Sequence, residues 1–377
     1  MRILHLMSCR GWSSDAYWAA RVSVELERAG HHVILACRRG TQERVIDRAR
    51  AAGVRHIETL AFQGGVKPAS DAADLRRLRE WLPEVDVIHT HRGKEHWLAA
   101  VANRLSKTPR PLVRTRHIVQ PVRPHALNRW LYRKATSLTV TVSEGIRRQL
   151  LAAELAPPER VLALPGGVDA EAFRPDRSAQ PFRRAHGLIG NSPMVGLLGG
   201  FRIMKGQLIA IEALERLARA GRDFHGALVG RGALELTIRA ARARAGLSER
   251  VGVVDDETDP VNAVAAFDVA LYVPLESDGM SRVLFEYLAA GRAVVASRVG
   301  VVSEVLTDGE NALLVPAGEP GPLAEAIGRL LDDAALRARL GAAARALIER
   351  RLSGARVAEA LVARYATLTP PLTERAA

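Results

Sequence analysis

The sequence predicts an α/β chain of two doubly wound parallel-sheet domains that face each other across a cleft. Three observations predict it. The 377 residues exceed the size at which one hydrophobic core keeps growing, so the chain is expected to divide. Short apolar runs alternate with helix-period stretches from the first residue onward, and repeated strand then helix implies parallel strands joined by right-handed crossovers. That rhythm breaks once, over 165–193, where "PGGVDAEAFRPDRSAQPFRRAHGLIGNSP" is rich in Pro, Gly and polar residues, and then restarts.

The first half pairs "RILHLM" with "DAYWAARVSVELERAG" and "HHVILAC" with "TQERVIDRARAAG". It continues through "DVIHTH" with "KEHWLAAVANRL", "PLVRTRH" with "HALNRWLYRKA", and "SLTVTVS" with "EGIRRQLLAAEL", and closes near "VLALPGG". The second half runs through "MVGLLGG", "KGQLIAIEALERLARAG", "FHGALVG", "ALELTIRAARARAG", "RVGVVD", "VNAVAAFDVALYVP" and "ESDGMSRVLFEYLAAG". Beyond "NALLVP" two or three Ala-, Arg- and Leu-rich helical segments follow, and "TLTPPLTERAA" reads as a frayed tail. The expected domains are 1–165, 166–350, and a C-terminal helix and tail over 351–377 that crosses back to the first domain.

Apolar residues make up 48% of the chain, enough for two cores. No apolar run approaches the roughly 18 to 20 residues that span a bilayer, and "MRILHLMSCRGW" lacks a signal-peptide pattern. Cys9 and Cys37 fit a reducing compartment and no disulfide framework. The expectation is a cytoplasmic protein. Lys and Arg total 54 against 41 Asp and Glu, a net charge of +13. The excess concentrates in 101–150, where only Glu144 opposes eleven cations. Such a segment attracts phosphates.

In open α/β sheets ligands bind beyond the carboxyl ends of strands. "DVALYVP" is a strand, and "LESDGMSRVLFEYLAAG" is the loop and helix after it. A half-buried Glu286 in so apolar a helix must find partners or stay costly to desolvate. Asp278 lies eight positions earlier, about 12 Å of helical rise, so the two acids cannot converge on one atom. They suit the two ends of a long ligand. The amides of Gly279, Met280 and Ser281 between them would suit a phosphate at a helix N-terminus.

The stretch "ESDGMSRVLFEYLAAGRAVVASRVGVVSEVLTDGENALLVPAG" resembles the signature region of family 4 glycosyltransferases with the GT-B fold. "MRILHLMS", "LERAGHHV", "DVIHTH", "TVTVSEGIRRQL", "ALPGGVDAEAFRP" and "LVGRGALE" extend the resemblance along nearly the whole chain, in order. It implies a retaining transfer of a sugar from a nucleotide diphosphate donor, UDP-linked first, to a glycan or glycolipid acceptor in lipopolysaccharide or surface polysaccharide assembly. No cofactor or metal is implied. Glu286 would hold the ribose, Asp278 the donor sugar and the 279–282 amides the phosphates. Lys205 and Arg202 would neutralise the diphosphate, and His117 would reach the donor sugar from the N-terminal domain. Three places depart from the family pattern. Asp278 replaces a glutamate, with Glu276 two residues earlier; Gly200 stands where an arginine is usual; and Ser13 and Ser14, ahead of Asp15 in the acceptor-side loop, replace glycines.

Competing readings are weaker. His89, His91 and His96 suggest a metal set but lack a converging acid or cysteine. "DDETD" at 255–259 reads as the acidic start of a helix. "GRG" at 230–232 lacks the third glycine of a dinucleotide fingerprint. Arg123, Arg129, Arg133 and Lys134, with Trp130 and Tyr132, read as a patch for a charged acceptor or for an anionic membrane surface on the inner face of the plasma membrane, and not for nucleic acid. The rivals are a sugar-nucleotide 2-epimerase of the same fold and a non-catalytic anion-binding protein using 101–150.

Overall fold

The computed structural model describes residues 1–369 apart from 189, 191, 256, 258, 278 and 281. The chain divides into two compact units, 1–167 with the C-terminal segment from 354, and 168–353.

The first unit holds a seven-stranded sheet in the order β3-β2-β1-β4-β5-β6-β7. Its strands are β1 (Arg2–Met7), β2 (His32–Arg38), β3 (Ile57–Leu60), β4 (Val87–Thr90), β5 (Leu112–Arg116), β6 (Leu138–Thr141) and β7 (Val161–Ala163). Every pairing is parallel. The second unit holds a six-stranded sheet in the order β10-β9-β8-β11-β12-β13. Its strands are β8 (Met194–Leu198), β9 (His225–Val229), β10 (Val251–Val254), β11 (Val269–Tyr272), β12 (Ala293–Ser297) and β13 (Leu313–Val315), again all parallel. In each sheet the order reverses beside the first strand, between β1 and β4 and between β8 and β11. Those crevices are where ligands bind in doubly wound sheets.

Parallel strands are covered on both faces, and the burial follows from their apolar runs. In β1, Leu4 and Leu6 pack with Leu78, Trp81 and Leu98 on one face, while Met7 joins Ala16, Ala19 and Cys37 on the other. The sequence pattern does not announce β3 or the helices Gln180–Ala185, Val302–Val305 and Pro68–Trp81; the first of these helices lies within the stretch 165–193 expected to be a linker. The helix Pro68–Trp81 is polar along most of its length and buries only Asp74, Leu78 and Trp81, which is why its apolar period is faint. The helix Gly354–Leu368 packs on the helix Ser14–Arg28 within the first unit.

Candidate active site

In the second unit the helix Arg282–Ala289 leaves β11 and is buried from Leu284 to Ala289, with no solvent face there. A helix apolar all round belongs in a core, yet Glu286 sits in it with no exposed surface. Its Oε1 accepts from Arg282 Nε at 2.6 Å, one turn back. Its Oε2 is buried and has no partner among the described residues. Leaving a buried acceptor open costs about 1–3 kcal/mol, and more for a charged group. A ligand hydroxyl would fill it. The next residue, Tyr287, accepts the Leu198 N–H at 2.6 Å through its hydroxyl, which ties this helix to the end of β8.

The exit of β8 lies beside it. Gly206 adopts φ 77°, and a Cβ there would stand 2.0 Å from the Val273 carbonyl oxygen. Only glycine lets the short turn Ile203–Lys205 rest on the exit of β11, where Leu275 N–H donates to Met204 O at 2.9 Å. Lys205 is half-buried in that turn. Arg202 is exposed, and its Nε and Nη2 come within 3.5 Å and 3.9 Å of where a Cβ of Gly200 would be. The guanidinium thus folds back over the position at which the family pattern has an arginine. Gln207, buried and missed by the sequence reading, donates from Nε2 to Gly200 O at 3.0 Å. The glycines of "GRG" serve the same loop. A Cβ at Gly230 would lie 2.1 Å from Gly199 O, and one at Gly232 2.4 Å from Phe201 O.

Asp278 and Ser281 lie outside the described residues. The row of free amides expected over 279–282 needs correction, because the loop satisfies part of it internally. Gly279 N–H donates to Ser277 Oγ at 3.4 Å, and Arg282 N–H to Met280 O at 3.1 Å. Met280 is buried. The Arg282 side chain points to Glu286. Within "DDETD", Asp259 caps the helix Pro260–Ala266 by accepting from Val261 N–H at 2.9 Å, while Asp256 and Thr258 lie outside the described residues.

In the first unit the register of β1 on β4 sets His5 opposite His89, and a buried histidine chain results. His5 Nδ1 meets His91 Nε2 at 3.0 Å, and His91 Nδ1 meets His117 Nε2 at 3.2 Å. The far nitrogens, His5 Nε2 and His117 Nδ1, have no partner among the described residues. Burial lowers the pKa of His5 to about 3, and that of His117 to about 3 against the opposing pull of Asp15. His89 and His91 are driven well below the usual value, again chiefly by burial. All are neutral at pH 7. A neutral imidazole has one donor and one acceptor nitrogen, so the protons of this chain must run in one direction. Whether His117 Nδ1 offers a hydrogen or a lone pair is therefore coupled to the tautomer of His5.

Among the described residues His5, His89 and His91 have ligand atoms within 4.8 Å of one another. They do not fit a metal as they stand. Both His89 nitrogens are engaged, by Tyr365 OH at 2.5 Å and Thr115 Oγ1 at 2.6 Å, and His5 and His91 hold each other. His96, grouped with His89 and His91 in the sequence reading, instead bonds Thr136 Oγ1 at 2.8 Å and meets the edge of Tyr132.

Beside the chain, Ser13 precedes the helix Ser14–Arg28 and gives its hydroxyl hydrogen to Asp15. Asp15 is buried and accepts Arg92 Nε at 2.5 Å. Burial works to raise the Asp15 pKa, but the bonds and charges of Arg92, Ser13 and His117 together hold it well below the carboxylate range. Glu95, unforeseen from the sequence, is fully buried and accepts the N–H groups of Ser8 and Arg92 at 3.2 and 2.6 Å. Of the basic segment, Arg114 and Arg116 are buried in β5 and contribute no surface charge patch. Arg123, Arg129, Arg133 and Lys134 are exposed, as are Ile118 and Leu127 of the same stretch of chain, at 51% and 64%. Among the described residues no helix is long and apolar enough to cross a membrane.

Comparison with known proteins places this geometry. Residues 17–172 match the family model described as Glycosyltransferase Family 4, and residues 192–333 that described as Glycosyl transferases group 1. A D-inositol 3-phosphate glycosyltransferase of Acidothermus cellulolyticus is 32% identical over 70% of this chain and 63% of its own length. The 2-deoxystreptamine glucosyltransferase of Streptomyces kanamyceticus is 30% identical over 79% of this chain and 82% of its own. Among solved structures, a glycosyltransferase of Rickettsia africae superposes with a TM-score of 0.85 at 18% identity, covering 97% of this chain and 98% of that one. Anabaena HepE in complex with UDP superposes with a TM-score of 0.81 at 20% identity, covering 98% and 100%.

Proposed function

The chain belongs to glycosyltransferase family 4 and has the GT-B fold, and from that premise we propose that it is a retaining enzyme moving a sugar from a nucleotide diphosphate donor, UDP-linked first, to a glycan or glycolipid acceptor. Surface polysaccharide or lipopolysaccharide assembly is the proposed setting. The observation that carries the reading is Glu286, a fully buried carboxylate with one oxygen on Arg282 and the other open, on the helix that leaves β11 at the point where the sheet order reverses. Such an oxygen suits a ribose hydroxyl. Lys205, held in its turn by Gly206, and Arg202, folded over Gly200, would meet the charge that develops on the departing diphosphate. Asp278 is the proposed partner of the donor sugar, and His117 is proposed as a further contact of that sugar. Ser13, Ser14 and Asp15 are proposed on the acceptor side. With same-face attack the leaving phosphate takes the acceptor proton, so no protein base is required at the reacting carbon.

A thermal-shift panel of UDP-, GDP-, ADP- and CMP-linked sugars tests the donor. A ligand at 100 times its dissociation constant stabilises by about 2.7 kcal/mol, and UDP is expected to lead, with EDTA leaving the shift in place. A shift only with another base moves the donor; a strict need for a divalent metal would sink the mechanism. Donor consumption without added acceptor would favour the 2-epimerase reading, and neither transfer nor hydrolysis would favour a non-catalytic anion binder.

A further inference from the structure

A second group of cations gathers at the carboxyl ends of β1, β2 and β3. Arg10 follows β1, Arg38 closes β2 with Arg39 next, and Lys67 precedes the helix Pro68–Trp81. With Gln63 and Gly64 they line a pocket of about 450 Å³ in the first unit, within the rough range of 300–1,000 Å³ typical of small-ligand sites. No acid lines it. The neighbouring acids have other cationic partners: Asp71 pairs with Lys94 at 2.6 Å while its second oxygen accepts the Lys67 backbone N–H at 3.0 Å, and Asp15 pairs with Arg92. Among the described residues none of the four cationic side chains has a carboxylate within ion-pair distance.

The pocket wall is built rather than left loose. Asp74 is 2% exposed and accepts the N–H groups of Ala61 and Phe62, each at 2.8 Å, which fixes the exit of β3. Arg39 N–H donates to Leu60 O at 2.7 Å and joins the ends of β2 and β3. A Cβ at Gly64 would lie 2.8 Å from Arg10 Nη2, so the loop backbone lies close against that guanidinium. Four cations converging without a counter-charge repel one another, and guanidinium forks match the oxygens of phosphate.

We propose that this pocket binds a phosphate ester and anchors the phosphorylated end of the acceptor. Only the word acceptor rests on the glycosyltransferase reading; the anion site stands on its own geometry. The test is calorimetric titration of the full chain, without donor, using myo-inositol 1-phosphate and, separately, myo-inositol. The phosphate ester is expected to bind and the parent polyol not. Arg38→Gln with Arg39→Gln should weaken binding by about tenfold or more. Arg219→Gln with Arg244→Gln, which removes two exposed charges from the second unit, should not change it, and melting temperatures check that each variant folds. Neutral phosphatidylcholine vesicles with and without phosphatidylinositol separate the two sources of the ester. Capture that the soluble ester competes away and the 38/39 variant loses assigns a lipid headgroup; binding of the soluble ester alone assigns a free phosphate ester. Equal binding of ester and polyol, or ester binding that ignores the 38/39 variant, overturns the proposal. Ester binding in a chain that transfers no sugar would sink the glycosyltransferase reading alone, whereas donor shifts without ester binding would sink the pocket alone.

Discussion

Glu286 is a carboxylate whose cost is visible before any ligand is considered: one oxygen is paired and the other is buried and open. If that oxygen receives the ribose, its contribution is present equally in ground and transition states. Glu286→Ala should then raise the donor KM by about tenfold or more while kcat changes little; steady-state kinetics check it, and a fall in kcat at unchanged KM would remove Glu286 from the ribose. The histidine chain gives a second consequence at this scale. His5 and His117 have folded-state pKa values of about 3, well below the ordinary 6.5, so they bind protons more readily in the unfolded chain. Their contribution to stability is complete above about pH 6.5 and is lost as the pH falls toward 3. Each such histidine should remove about 1.4 kcal/mol per pH unit within that window. Urea unfolding at pH 7, 6 and 5 measures the slope, and His5→Gln should reduce it by one proton's worth; an unchanged slope would mean His5 titrates normally in the folded protein.

At the scale of elements, the sequence treated 101–150 as one basic face, but the fold separates its cations by their place on a strand or a helix. Arg114 and Arg116 alternate into the covered sheet, while Arg123, Arg129, Arg133 and Lys134 come from the exposed loop and helical turns after β5. Ile118 and Leu127 of the same stretch of chain are also exposed, and we propose that this stretch meets an anionic membrane, since interfacial surfaces join apolar and cationic groups. Binding to vesicles is expected to need acidic lipid and to weaken from low to physiological salt, since charges are screened over about 8 to 10 Å. Sedimentation with vesicles at two salt concentrations tests this; salt-independent binding or none would leave these residues as a solvated face.

At the scale of the whole molecule, the last helix is a part of the first unit by its contacts and far from it in sequence. Tyr365 is fully buried and shares a 2.5 Å hydrogen bond with His89 Nδ1, and its helix covers the helix Ser14–Arg28. Ending the chain at residue 353 should therefore leave His89 without that partner and raise hydrogen exchange across β1 and β4, while β8 to β13 keep their protection. Mass spectrometry of exchange by segment measures it. Loss of protection confined to the second unit would contradict the assignment of the helix.

The sequence by itself determined the two parallel sheets, because strand and helix periods repeat and a parallel connection admits one handedness. It also singled out Glu286, because a carboxylate in an apolar helix breaks the local pattern. What it could not determine depends on register and close approach. His5 drew no notice as one polar residue in an apolar strand, and only the pairing of β1 with β4 brings it to His89 and His91. The loss of an arginine at Gly200 looked like a defect until the turn brought Arg202 back over it. The four cations of the Arg10 and Lys67 pocket come from three separate strand ends, 57 positions apart at the extremes. No linear spacing reports that convergence, because the crossovers that bring strand ends together fix distance in space and leave it free in sequence.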